Sequence, residues 1–171
     1  MEFLEILKYV LPSLIVFLAS YLILKEMIKK EHSKDRFALM MQNQKVTLPV
    51  KMQAYERLTL FLERIAPDSL IIRTNKPGMT ASQLHQGMLQ AIRSEYNHNM
   101  SQQIYISHKA WELVKNARSS VIKLINTSAD QVKPEDHALK LSSLILERLV
   151  ESNVHPTQVA IDNLRNELNQ Y

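Results

Sequence analysis

Glu95 and His98 stand in the pattern Glu-x-x-His, the spacing with which carboxylate-bridged di-iron bundles present two metal ligands on one helix face. That chemistry needs a second such pair and glutamates from two further helices. The chain offers one pair only, because Glu151 and His155 have the wrong spacing and run into Pro156. His32, His85, His137 and His155 are scattered singly, and cysteine is absent, which removes disulfides, thiolate metal sites and cysteine nucleophiles together. The pair therefore reads as a helix end whose side chains bond the backbone, with a membrane-tethered metal protein or enzyme using Glu95 and His98 as the rival reading.

The pair opens the most unusual polar stretch of the chain, Glu95 to Ser107. Asn97, Asn99, Ser101, Gln102 and Gln103 crowd donors and acceptors into seven positions. Such a segment is either a solvated loop, or else a buried polar joint or partner-docking loop. Asn97, His98, Asn99, Gln102, Gln103 and Tyr105 are its candidate partner-binding residues. Ile104-Tyr105-Ile106 would be wasteful left in water, and a short strand there competes with helix. No Gly-x-Ser-x-Gly elbow positions a serine nucleophile. No phosphate-cradling glycine loop is present either, so nucleotide binding lacks its usual device. Neither catalysis nor a cofactor is expected.

Helices must position these residues. Two glycines, Gly78 and Gly87, leave almost no material for tight hairpins, so the fold class is all-α. After a plausible loop at 42–44, a first domain helix is expected from Thr47–Pro49 to Pro67. Met52, Tyr55, Leu58, Leu62 and Ile65 line one of its faces. Asp68 or Ser69 could cap a short turn through Leu70–Ile72. Thr74 to Gly78 is the clearest turn, and Thr80 with Gln83 fits a capping box. The second helix carries Leu84, Met88 and Ile92, and the third starts near Ser107 with Trp111 in the core. A fourth is expected to open on Pro134; its Leu139, Leu141, Leu144, Ile145, Leu146 and Leu149 make it central. A last one follows His155-Pro156. Its stripe Ile161, Leu164, Leu168 and Tyr171 packs on its own bundle or on a partner helix.

The other informative feature lies upstream. Tyr9 to Leu24 is sixteen residues without a formal charge, reaching roughly 24 Å as a helix. With Leu4 to Lys8 added, it approaches the ~30 Å hydrocarbon core of a bilayer. Its acidic start (Glu2, Glu5) does not suit a cleaved signal peptide. One basic residue, Lys8, precedes the run, while Lys25, Lys29, Lys30, Lys34 and Arg36 follow it. Positive charge stays on the cytoplasmic side, so the N-terminus is expected outside. The same five residues are the candidate membrane-surface contacts.

From Phe37 onward, 15 Lys/Arg stand against 12 Asp/Glu. A surplus of three on a mixed surface is no nucleic-acid footprint. The expected domains are a transmembrane helix at 4–24, a juxtamembrane stalk and linker at 25–46, and a cytoplasmic bundle of four to five helices at 47–171. The expected partners are the lipid bilayer and membrane-complex proteins or further copies of the chain.

The order of features, an N-terminal span, then Gln53-Ala54-Tyr55-Glu56-Arg57-Leu58-Thr59-Leu60-Phe61-Leu62-Glu63-Arg64-Ile65, then Ile92 to Tyr105 and Trp111, resembles an uncharacterised bacterial family. Its members are small single-span helical membrane proteins. The resemblance covers roughly residues 5–125 and is most specific from Tyr96 to Tyr105. It implies bacterial inner-membrane placement and carries over no catalytic residue.

Overall fold

The computed structural model describes the backbone of residues 2–152 and 155–170, and the side chains of 14–27, 41, 45–152 and 155–170. Among the described residues the chain is all-helical: α1 (Glu2–Ile65), α2 (Pro67–Thr74), α3 (Ala81–Asn99), a 3-10 turn (Met100–Ile104), α4 (His108–Ala129), α5 (Ala138–Ser152) and α6 (Gln158–Leu168). The chain divides into two compact units, Met1–Leu48 and Pro49–Tyr171.

In the first unit, helix runs through both the expected stalk and the expected loop at 42–44. The stretch is rich in Lys, Glu, Met and Gln and contains no glycine, so propensity favours helix throughout. Among the described residues no helix is long and apolar enough to cross a membrane. The side chains of the predicted span's first part, 4–13, lie outside the described residues. So do the side chains of Lys29, Lys30, Lys34 and Arg36; Lys25 is exposed.

The second unit carries the core. Tyr55, Leu58, Phe61, Leu62 and Ile65 of α1 are buried with Leu84, Met88 and Ile92 of α3. Trp111, Val114, Val121 and Ile125 of α4 and Ile161 and Leu164 of α6 join the same cluster. These positions recur at three and four along each helix, so one face of each is buried. Within this unit α3 packs on α2, α4 and α5, and α6 on α4.

Local signals end most elements where expected. Thr80 Oγ1 accepts from the Gln83 amide at 3.3 Å while Gln83 Oε1 accepts from the Thr80 amide at 3.0 Å, closing the capping box. Ser107 Oγ accepts from the Ala110 amide at 3.1 Å and caps α4. Gly78 has φ +79°, the left-handed region that side chains resist. A Cβ there would meet nothing within 4 Å, so the cost of Gly78→Ala is backbone strain alone. Thermal or urea unfolding should register a loss of about 1 kcal/mol.

Three expectations are corrected and one open alternative is decided. Neither Asp68 nor Ser69 caps α2; Ala66 is its N-cap, and Pro67 sits in the first turn, where its missing amide costs nothing. Residues 104–106 form no strand; Ile104 ends the 3-10 turn, 74% exposed. α5 begins at Ala138, not Pro134. The carbonyls of Pro134 and Asp136 instead accept the Ser82 and Ala81 amides at 3.1 and 2.7 Å, satisfying the opening amides of α3 that no helix bond can reach. α5 is also one-sided rather than central: Ala138, Leu141, Ser142, Ile145 and Leu149 are buried, whereas Leu139 is 60% exposed and Leu146 and Val150 are also exposed.

Candidate functional site

Glu95 lies on α3 about one turn before its end, where α1 and α2 also finish. The ends of those two helices bring Arg64 and Arg73 to the same carboxylate. Arg64 Nε donates to Glu95 Oε1 at 2.8 Å, Arg73 Nη1 donates to the same oxygen at 2.6 Å, and Arg64 Nη2 lies 2.8 Å from it. Arg73 Nη2 also donates to the Arg64 carbonyl at 3.1 Å. Three helix termini are thus tied at one oxygen, and the residue singled out for its ligand spacing is committed to two guanidiniums.

Burial, the largest single influence on this carboxyl, pushes its pKa up. The hydrogen bonds and charges of Arg73 and Arg64 together outweigh it and hold the group below its ordinary 4.5. A depressed folded-state pKa contributes stability that is fully present above 4.5 and fades as pH falls through the lower folded value. Comparing wild type with Glu95→Gln across pH should show the largest gap near neutrality. The gap should close in the acid range below 4.5. It should also narrow in high salt, since Arg64 is half exposed and its field is screened.

Beside the triad lies a hollow of about 390 Å³ lined by Arg57, Leu60, Phe61, Arg64, Ser94 and the α3 end residues Glu95, His98 and Asn99. The aromatic residues behind it form a ladder across three helices. Phe61 tilts against Tyr96 at 6.1 Å, Tyr96 stacks on Trp111 at 5.7 Å, and the Arg118 guanidinium sits 4.1 Å from the Tyr96 ring centre.

The candidate docking residues are split by this packing. Asn99 and Gln102 are buried, and Asn99 Nδ2 donates to the Glu95 carbonyl at 2.8 Å, closing the helix end. Asn97, His98 and Gln103 are exposed and Tyr105 is half-buried. Of these six, only His98 and Asn99 reach the hollow. Among the described residues no group of three or more His, Cys, Asp or Glu is gathered to hold a metal ion.

Three residues of the terminal stripe, Ile161, Leu164 and Leu168, pack on their own bundle. Ile161 and Leu164 are buried in the core, Leu168 is half-buried, and Tyr171 lies outside the described residues. Ile161, Leu164 and Leu168 floor a second hollow of about 530 Å³ against Met52, Tyr55, Glu56, Thr59, Leu60 and Glu63 of α1. Sequence reasoning missed Glu167. Its Oε1 accepts from the Tyr55 hydroxyl at 2.7 Å and the Ser107 amide at 3.0 Å, and its Oε2 accepts from the Ser107 hydroxyl at 2.8 Å. No local pattern announces a residue whose partners lie 60 and 112 positions away.

The family model described as "Family of unknown function (DUF7935)" matches residues 1–171. The chain belongs to that family. Membership spans the whole chain, beyond the 5–125 over which the sequence resemblance runs. No curated protein and no solved structure matches the chain. The family lends no catalytic assignment to the Arg64–Arg73–Glu95 triad or to either hollow.

Proposed function

We propose that the chain is a membrane-anchored helical interaction or scaffolding subunit of a bacterial inner-membrane complex, with no catalysis of its own. In this reading residues 4–24 span the membrane, the N-terminus is outside and the helical domain is cytoplasmic. One observation carries it. From Leu14 to Leu24 the apolar side chains are more than half exposed, Phe17 at 71%. Five consecutive ones, Leu14 to Leu18, point to every side of the helix. A helix apolar all round belongs in a core or a bilayer, and bilayer burial of these side chains is favourable by about 25 cal/mol per Å². The basic residues that follow supply the direction. Tethering restricts the domain to the membrane plane and raises its effective concentration for partners there.

The rival, a membrane-tethered metal protein or enzyme using Glu95 and His98, is weakened by the two arginines on Glu95. Alkaline washing of membranes decides the anchor: the full chain should stay in the pellet, and Phe17→Lys with Leu18→Lys should release it. A reporter fused after Tyr171 should be active only inside the cell. A chain washed off at alkaline pH, a reporter active only outside, or stoichiometric metal in the purified protein would each defeat part of this reading.

A further inference from the structure

The part of α1 in the second unit buries one face and leaves the other exposed. At the centre of the exposed face is Leu60, 56% exposed. With 3.6 residues per turn, Glu56 and Glu63 lie about 40–60° to one side of it, and Arg57 and Arg64 about 40–60° to the other. The ridge therefore carries an acidic flank and a basic flank separated by one apolar side chain. All four charged side chains are exposed. Arg64 gives two of its nitrogens to Glu95. Among the described residues Glu56, Arg57 and Glu63 form no ion pair within the chain. A hollow opens on each flank, about 390 Å³ on the arginine side and about 530 Å³ on the glutamate side, and Leu60 lines both. Room for a neighbour's side chains thus exists on both sides of the ridge.

We infer that this face pairs with the same face of a second copy, the two α1 helices running parallel about a two-fold axis. The inference deepens the anchored-interaction reading by naming its partner, and it takes from that reading the confinement of both copies to one membrane. A two-fold axis parallel to the helices carries the acidic flank of one copy onto the basic flank of the other. Glu56 then faces the second copy's Arg57, and Glu63 faces its Arg64. The members of each pair are one position apart in sequence, about 1.5 Å in height. An antiparallel pairing would set Glu56 against Glu63 and Arg57 against Arg64, like against like. Flanking charges of this kind set orientation in helix pairs, and a patch complementary to itself is what an isologous interface requires. Parallel pairing also lets both chains leave Pro49 at the same end of the pair, as two anchors in one membrane need.

The chain lacks cysteine, so single cysteines report cleanly. In membranes holding the full chain, Leu60→Cys should couple to a covalent dimer through a short bismaleimide linker. Ile72→Cys, 81% exposed on α2, should couple about tenfold less. Adding Arg57→Glu, or separately Glu56→Arg, to the Leu60→Cys chain turns two facing pairs into like charges, and each should lower coupling about tenfold. Co-expressing the two charge variants restores opposite charges at both places, and coupling should return near the parental level; that recovery also shows that each variant folds. Leu60→Cys coupling no stronger than that of Ile72→Cys, or charge variants that fail to recover together, would overturn the parallel dimer. Release of the chain by alkaline washing would instead defeat the anchor, leaving the coupling to judge the dimer on its own.

Discussion

Trp111→Ala is expected to destabilise the 49–171 unit by about 3–5 kcal/mol, the range for emptying a buried aromatic site. Trp111 is 7% exposed on the inner face of α4 and stacks on Tyr96, which in turn leans on Phe61. Removing the indole leaves a cavity between α3 and α4 and takes away the far half of the stack, worth about 0.5–1.5 kcal/mol beyond its buried area. Against a total stability of about 5–15 kcal/mol for a typical domain, that is a large share. Trp111 is the chain's one tryptophan, so urea unfolding has to be followed by far-ultraviolet circular dichroism rather than fluorescence. Trp111→Phe keeps a ring against Tyr96 and should lose distinctly less. A Trp111→Ala loss below about 1 kcal/mol would show that the surrounding side chains close the cavity without cost.

Glu167→Ala should be the most damaging polar substitution, at about 2–4 kcal/mol for bonds made to a charged acceptor. The carboxylate joins α6 to α1 through Tyr55 and to the start of α4 through Ser107. It also places negative charge at the positive end of the α4 dipole, where an anion is stabilising. Ser107 acts twice, accepting from the Ala110 amide while donating to Glu167. Glu167→Gln keeps one acceptor oxygen without the charge and should recover part of the loss. Combining Glu167→Ala with Tyr55→Phe in a double-mutant cycle measures the α1–α6 link directly; strict additivity would mean that the 2.7 Å bond couples nothing.

The elements legible in the sequence share a short reach. The Thr80–Gln83 box, the Gly78 turn, the start of α4 near Ser107 and the helix stop before Pro67 each depend on residues within about one turn of each other, and each forms as the local pattern implies. The start of α5 looked equally local, since Pro134, Glu135 and Asp136 suit a helix N-terminus, yet helix begins only at Ala138. The carbonyls of Pro134 and Asp136 are taken by α3 amides more than fifty positions upstream. The same limit governs the candidate site. Glu95 stands out by its spacing to His98, but its partners Arg64 and Arg73 are 31 and 22 positions away on other helices. Glu167 carries no local mark at all.

By itself the sequence determined the helical class, the buried stripes of α1, α3 and α4, and an uncharged run with basic residues after it. Periodicity, helix caps and charge act over one or two turns and need no knowledge of neighbours. Only the tertiary structure decided that Glu95 is an anchor for two arginines, that Ile161 and Leu164 face inward, and that Leu60 stands exposed between opposite charges. Those outcomes depend on which helix packs against which, and that is settled by burying all the apolar faces at once.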